Sequence, residues 1–287
     1  SVVLGTDVFD EFIDIHNLRH FALNATDDQE VTRRFLEANR FPEDAIRHLR
    51  SYIDLVREPL AVRSSSLLED SQYHPFAGVY DTYMIPNNDA NPETRLDQLV
   101  NAIQRVYAST FHQSAKNYIK FTSYRLEEEK MAVIVQRMVG ARHNGRFYPD
   151  FAGVAKSYNY YPIAPQKPED GIVSAALGLG KTVVEGGNAI RFCPKYPAHM
   201  LQFFSPEKTW RNTQHEFFAL DLKAKLTEEP VSANLLLKKY GLDIAEQDGT
   251  LQHVGSAYSP ENDALYDGLS RQGSRVVSFA PILRNRI

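Results

Sequence analysis

Cysteine is nearly missing from this sequence, which holds one, Cys193, among 287 residues. One thiol excludes an internal disulfide and a metal site built from several cysteines, and it suits a reducing compartment. No run approaches the roughly 18 consecutive apolar residues of a membrane span, and residues 1–5 show neither an initiator methionine nor a signal pattern. We therefore expect a cytoplasmic protein with no membrane partner, and a chain excised from a longer one.

A strong charge of either sign is also missing. The formal net charge is -4, so the chain lacks the basic surplus that marks a nucleic-acid-binding protein, and no nucleic-acid partner is expected. The sequence contains no Gly-x-Ser-x-Gly elbow and no His-Glu-x-x-His pair. With 43% hydrophobic and 24% charged residues, it has the composition of an ordinary globular protein.

Helical patterns dominate the first part of the chain. Thr6 and Asp28 are expected to cap two helices, and Pro42 fits the first position of a third. The longest amphipathic segment opens at Asn91, and over residues 96–107 its apolar side chains recur at three- and four-residue spacing. That periodicity predicts a helix with one face towards the core.

Short apolar runs predict buried strands at residues 60–62, 79–85 and 131–135, because such runs bounded by turn formers are typical of strands. The run at 131–135 is the strongest. The charged residues 127–130 in front of it are expected to form a solvated turn.

Beyond Gly140 the pattern changes, and glycine, tyrosine and proline become frequent. Short runs at 153–155 and 171–174 predict strands, whereas helices are expected to return only at 232–240 and after Pro260.

This change predicts two subdomains, residues 1–140 and residues 141–287, the second incomplete at its C-terminal end. Because helices and strands do not alternate regularly, the fold class expected is α+β. No linker rich in serine or glycine separates the halves, so we expect them to pack closely.

Arg63 stands where the first of these strands gives way to a polar loop. A guanidinium suits phosphate because it donates two parallel hydrogen bonds and keeps its charge. The alternative is a structural ion pair with Glu69 or Asp70, which follow a few residues later. On this stretch alone the two interpretations remain open.

The glycine cluster at residues 177–182 allows three interpretations. It nearly matches a P-loop ending in Lys181, but Ala175 occupies the place of the first required glycine and no clear helix follows. A dinucleotide-binding fingerprint fails at Val183, where the third glycine or alanine belongs. The third interpretation is a tight turn between strands.

Several spaced segments resemble one family. In order they are Arg63-Ser64-Ser65, Glu69-Asp70, Phe76-Ala77-Gly78, the helix near Val106-Tyr107, the run from Val133 to Val139, Phe151-Ala152-Gly153-Val154 and Gly178-Leu179-Gly180. This series is similar to the ATP-binding domain of phosphoenolpyruvate synthases and pyruvate phosphate dikinases. The resemblance extends to about residue 190, and the Arg-Ser-Ser block is its most specific part.

The resemblance implies an ATP-grasp fold with the nucleotide held in a cleft between two subdomains. Arg63 would contact the ATP phosphates across that cleft from the hinge. The hinge itself would comprise Gln136, Arg137, Met138 and Val139, whose backbone reads the adenine edge while Met138 packs on the ring. The family phosphorylates a histidine on a separate domain, which carries the phosphoryl group to pyruvate at a further domain. Those two domains of the parent chain are therefore the expected partners, beside ATP.

The chain departs from the family pattern at several points. Lys181, after Gly180, stands where the family usually has glutamate; both residues are expected near the nucleotide, where Lys181 could neutralise phosphate or mark a divergent member. Lys156 replaces an apolar residue.

The nucleotide-contacting lysine, the acidic Mg²⁺ ligands and the acceptor histidine of the family are expected outside this chain, so we expect the chain alone to be inactive. Two alternatives remain: a non-catalytic nucleotide-sensing module, and a P-loop NTPase centred on Lys181.

Overall fold

The computed structural model describes residues 1–69, 78–122, 124–197, 205–226 and 235–285, with side chains to residue 283. The chain divides into two compact units, unit 1 (Ser1–Met138 with Leu220–Leu236) and unit 2 (Val139–Ala219 with Leu237–Ile287). Each combines helices with small sheets, which agrees with the α+β class. None of the described helices is long and apolar enough to cross a membrane.

Unit 1 packs helices against one side of a four-stranded sheet. Its helices are α1 (Thr6–Ile15), α2 (Leu18–Asn24), α3 (Asp28–Leu36), α4 (Glu43–Leu55), α5 (Pro92–Ser109) and α6 (Gln113–Ile119). Its strands are β1 (Val2–Leu4), β2 (Leu60–Ser65), β3 (Thr82–Ile85) and β4 (Ala132–Arg137). They lie in the order β1-β4-β2-β3, and every neighbouring pair is antiparallel. The three strands predicted in this part are confirmed, with shifted ends.

Aromatic side chains fill the centre of unit 1. Phe9 and Phe12 of α1 pack on Tyr107 of α5, with ring centroids 5.0 and 5.7 Å apart. Phe35 contacts both Phe12 and Phe111, and all five rings are fully buried. Such ring pairs contribute about 0.5–1.5 kcal/mol each beyond their buried area. The core-facing stripe predicted for α5 is therefore confirmed.

Helix starts agree with the sequence to within one residue. Asn91 caps α5 as expected, its side-chain oxygen accepting a backbone N–H at 3.0 Å. Thr6 is the first residue of α1 and does not cap it, and Asp27 rather than Asp28 accepts the capping hydrogen bond of α3. Pro42 precedes α4 instead of opening it. These shifts arise because neighbouring residues can serve the same end of a helix.

Unit 2 contains three small sheets, ordered β11-β10-β6-β5, β13-β12-β14 and β7-β8-β9. The strands are β5 (Ala141–His143), β6 (Arg146–Tyr148), β7 (Phe151–Lys156), β8 (Ile172–Leu177), β9 (Ile190–Phe192), β10 (Glu216–Asp221), β11 (Leu237–Gly241), β12 (Gly255–Ser259), β13 (Ala264–Asp267) and β14 (Ser274–Val277). The helices are α7 (Lys181–Val184), α8 (Pro206–Asn212), α9 (Leu242–Gln247), α10 (Leu251–Val254) and α11 (Ala280–Asn285). The strands predicted at 153–155 and 171–174 are confirmed as parts of β7 and β8.

Two predictions of helices in unit 2 are wrong. The segment 232–240 runs into β11, which pairs with β10, while residues 227–234 lie outside the described part of the chain. After Pro260 a turn leads into β13, which pairs antiparallel with β12. Pairing with a neighbouring strand decides these conformations, and local propensity is too weak to oppose it. Helices α8, α9 and α10 were not predicted.

Asp248 is the polar centre of unit 2. Its side chain is fully buried and accepts hydrogen bonds from both Nε and Nη2 of Arg146, at distances from 2.7 to 3.1 Å. Tyr148 donates to the same carboxylate at 2.8 Å and Asn144 at 3.0 Å. Burial alone would raise the pKa of Asp248, but these donors outweigh it and hold the pKa below its ordinary value. The carboxylate thereby joins the β5–β6 hairpin to the turn between α9 and α10.

We predict that Asp248→Ala lowers the free energy of unfolding by about 3 kcal/mol, the lower end of the range for a buried pair, because it leaves Arg146, whose side chain is 15% exposed, without its counter-ion. Urea unfolding near neutral pH measures the loss, with Glu261→Ala, an exposed carboxylate of the same unit, as the matched control. The difference should shrink as the pH falls through the depressed pKa of Asp248, because protonation removes the same interaction. Equal stability of the two variants at neutral pH would contradict this role.

Candidate functional site: the open face of the unit 1 sheet

The strand register divides the side chains of the unit 1 sheet between two faces. Leu60, Val62, Val133 and Val135 are buried on the face that packs on the helices. Arg63 pairs directly with Ile134, and directly paired residues share a face. The opposite side, here called the open face, carries Val3, Ala61, Arg63, Ser65, Thr82, Met84, Ile134 and Gln136.

Arg63 is exposed on this face. No carboxylate in the described part of the chain forms an ion pair with its guanidinium. Glu69 is bound elsewhere: its two oxygens accept the Ser64 hydroxyl at 2.9 Å and the Ser66 backbone N–H at 3.1 Å. Asp70 lies among residues 70–77, outside the described ones. The ion pair with Glu69 that competed with phosphate binding is therefore not formed.

The predicted hinge residues, 136–139, begin at the last two positions of β4 and continue into unit 2. Gln136 and Arg137 end β4 with exposed side chains, and Arg137 lies 3.5 Å from Glu58. Met138 is buried and donates its backbone N–H to Pro59 O at 2.8 Å. Val139, the first residue of unit 2, is 80% exposed.

The relation expected between Arg63 and Gln136 needs a correction. Gln136 is paired with Ala61, so it lies diagonally from Arg63 on the adjacent strand of the same sheet. Diagonal neighbours are about 7–8 Å apart. The two side chains thus lie side by side on one surface, rather than facing each other across a gap. A ligand covering the open face could contact both.

Thr82 and Met84 belong to the open face and were missed by the sequence analysis. Thr82 is directly paired with Arg63, and Met84 with Ala61. The signal was present in the alternation of β3, where Tyr83 is buried and its two neighbours are partly exposed. Recognising it requires the start of β3, which the sequence placed three residues too early.

Gly180 and Lys181 lie in unit 2, where the chain does not form a P-loop. β8 stays paired with β7 up to Leu177, so the residues that would have to wrap around phosphate are strand. Gly178, with φ +80°, then turns the chain; a β-carbon there would lie 2.8 Å from the Phe217 ring. The helix that follows, α7, has four residues. This geometry is the tight turn that was the third interpretation of the cluster.

The Lys181 ammonium is already in contact with two neighbouring side chains. It forms an ion pair with Glu185, one turn further along. It also lies 5.5 Å from the centre of the Phe218 ring, within cation–π distance. The charge that replaces the expected glutamate is therefore balanced inside unit 2.

Comparison with known families identifies the domain. Residues 2–233 match the sequence profile described as "Pyruvate phosphate dikinase, AMP/ATP-binding domain". The chain belongs to this family. Family membership makes it an AMP/ATP-binding domain, and the matched range includes the Arg-Ser-Ser segment at the end of β2.

Similar curated proteins are much longer than this AMP/ATP-binding domain. The prodigiosin synthesizing transferase PigC of Serratia marcescens is 33% identical over 132 residues, 44% of this chain and 12% of the relative. A probable phosphoenolpyruvate synthase of Archaeoglobus fulgidus is 29% identical over 44% of this chain and 14% of its own length. A rifampicin phosphotransferase of Bacillus subtilis is 29% identical over 50% and 15%. The match thus spans about one seventh of these relatives.

Magnesium, which the resemblance implies, has no evident ligand set here. Within the described ranges no group of three or more His, Cys, Asp or Glu side chains could hold a metal ion. Mg²⁺ prefers carboxylate and phosphate oxygens in octahedral geometry. The described residues do not supply such a set.

A buried carboxylate lies behind the Arg-Ser-Ser segment of this domain. Glu129 is 6% exposed, and Tyr80 donates to it at 3.0 Å. The solvated turn predicted for residues 127–130 is therefore wrong at Glu129. Burial raises the pKa of Glu129, and the nearby Glu69 charge adds to the rise, while the Tyr80 hydrogen bond opposes it.

We predict that Glu129→Gln removes a pH-dependent loss of stability. Because the folded pKa is raised, the folded state holds the proton more tightly, and the free energy of unfolding falls as the pH rises above 4.5 and through that folded value. Glutamine mimics the protonated acid and still accepts from Tyr80. Urea unfolding between about pH 5 and pH 8 measures the slope. Glu128→Gln, at an exposed neighbour, should keep the slope of the parent chain; an unchanged slope in Glu129→Gln would refute the prediction.

Proposed function

We propose that this chain is the ATP-binding part of a phosphotransferase similar to phosphoenolpyruvate synthase and pyruvate phosphate dikinase, and that ATP lies on the open face. The observation that carries the proposal is Arg63, an exposed guanidinium on a sheet surface without a described carboxylate partner. An unpaired fork of donors is suited to phosphate oxygens. Ser65 and Thr82, on the same face, add hydroxyl groups.

The adenine is proposed to lie towards the end of β4. There the chain passes from β4 into unit 2, and we propose that backbone groups of residues 136–139 bond to the base edge, except the Met138 N–H, which donates to Pro59 O. Met138 is 9% exposed, and we propose that this exposed part packs on the ring. Phosphoryl transfer depends chiefly on positioning and on neutralising charge. In this chain Arg63 is the group proposed to do both for the phosphates.

The acceptors belong to the parent protein. We propose that a phosphoryl group passes from ATP to a histidine nitrogen on a separate domain, and from that histidine to pyruvate bound at another domain. In the ATP-grasp arrangement we propose, unit 2 would be the second subdomain. The relative from Bacillus subtilis is named a rifampicin phosphotransferase, so an acceptor other than pyruvate is the alternative for the parent of this chain.

We predict that Arg63→Ala weakens ATP binding by roughly 10- to 100-fold, the usual range for one charged hydrogen-bonding partner. Isothermal titration calorimetry with ATP on the 287-residue chain provides the measurement. Arg47→Ala, which removes an exposed arginine of α4 that pairs with Asp44, should bind ATP like the parent chain.

Lys181→Ala separates this proposal from the P-loop alternative, because only a P-loop makes that lysine the dominant phosphate ligand. We expect at most a small loss, since Lys181 is already paired with Glu185. A larger loss in Lys181→Ala than in Arg63→Ala would overturn the proposed site.

We predict that the 287-residue chain binds ATP but neither consumes it nor forms phosphoenolpyruvate when pyruvate is added. The acceptor histidine motif that the resemblance implies is missing from the sequence of this chain, so the chain alone lacks the group that would accept the phosphoryl. A coupled assay for phosphoenolpyruvate and chromatographic detection of AMP and ADP measure turnover. Steady nucleotide consumption by the chain alone would contradict the prediction.

A further inference from the structure

The end of β2 sends successive side chains to opposite faces. Arg63 and Ser65 are two residues apart and lie on the open face, whereas Ser64 is paired with the buried Val133 and points to the packed side. A small rotation of the last two residues would mix these directions. Among the described strands, β4 pairs with β2 up to Ser65 but β3 pairs with it only up to Arg63, so the last two residues have a neighbouring strand on one side only.

The Glu69 carboxylate binds this end of β2 through two hydrogen bonds. One carboxylate oxygen accepts the Ser64 hydroxyl at 2.9 Å, and the other accepts the Ser66 backbone N–H at 3.1 Å. Hydrogen bonds to an ionised carboxylate are stronger than neutral ones. Ser66 and Leu68, inside the loop that this carboxylate closes, are 5% and 2% exposed. The strand end is thus fastened on the packed side.

We infer that Glu69 is the positioning residue of the nucleotide site: by binding Ser64 and Ser66 it holds Arg63 and Ser65 on the open face. This inference rests on the proposed function, and it gives Glu69 a role without contact to the nucleotide. The sequence alone offered Glu69 as the partner of Arg63. The structure reverses that relation, because the carboxylate is occupied on the side of the strand away from the guanidinium.

A role of Glu69 through its charge and a role through positioning predict opposite changes in ATP affinity when Glu69 is removed. A carboxylate near bound phosphates repels them, so its removal should tighten ATP binding if charge were its main effect. If Glu69 acts by positioning, its removal should weaken ATP binding although a negative charge is lost. The sign of the change therefore decides between them.

The experiment measures the affinity of Glu69→Ala for ATP and for adenosine, with the 287-residue chain. We expect ATP binding to weaken about tenfold and adenosine binding to stay unchanged, because adenosine has no phosphate for Arg63 to hold. A residue needed only for the fold would weaken both ligands alike. Glu128→Ala, at an exposed glutamate of the same unit, is the matched control and should match the parent chain for both.

A double-mutant cycle with Arg63→Ala tests whether Glu69 acts through the guanidinium. In the Arg63→Ala background, Glu69→Ala should cause little further loss, since the group that it positions is gone. Ser64→Ala removes one of the two hydrogen bonds and should produce a smaller loss of ATP affinity with the same adenosine result. It keeps the inference testable if Glu69→Ala does not fold.

Each outcome has a definite meaning. Tighter or unchanged ATP binding in Glu69→Ala overturns the inference, and so does an equal loss for adenosine or a full additional loss in the Arg63→Ala background. If Arg63→Ala itself leaves ATP affinity unchanged, the proposed function fails first and the inference falls with it. A selective, non-additive loss for ATP supports both.

Discussion

The pairing of β2 with β4 is the constraint on which the candidate site depends. Leu60 and Val62 on one strand, and Val133 and Val135 on the other, must face the helices together. A slip by one residue would exchange the faces and bury Arg63 without a partner, which is costly for a charged group. The apolar alternation therefore fixes the register, and the register fixes what the open face presents. The polar chemistry of this surface is a consequence of how its opposite side packs.

The parts predictable from sequence were those written in short-range patterns. The α5 stripe, its cap at Asn91 and the strand at 131–135 depend on spacing within a few residues. Arg63 was recognisable because it follows the apolar run 60–62, although the structure places it inside β2. Glu129 was not, because its partner Tyr80 is 49 residues away and nothing in a run of charges marks one member as buried. The strand β11 was read as a helix for a similar reason: its conformation is decided by β10, not by its own residues.

Two buried cations of unit 1 also depend on contacts with distant residues, which the sequence alone does not reveal. Lys116 donates to the carbonyl oxygens of Ala22 and Ala25, both at 2.6 Å, at the end of α2. Arg95 donates to Ile53 O, near the end of α4. Helix C-termini leave carbonyl groups unpaired and carry partial negative charge, so a cation from another helix can satisfy them. Burial lowers the pKa of Lys116, which is the cost of this arrangement. These contacts tie α5 and α6 to the helices before them.

Lys181 stands where the resemblance leads us to expect a glutamate, and its contacts show how the structure accommodates the opposite charge. Reversing a charge beside bound phosphates would change their binding only if that charge were free to act on them. Here the ammonium is paired with Glu185 and lies over the Phe218 ring, while Lys239 lies 5.3 Å from the same ring and 3.8 Å from Glu216. Both lysines thus have a carboxylate partner. The positive charge at position 181 is thus balanced locally within unit 2, and Arg63 remains the exposed cation of the open face of unit 1.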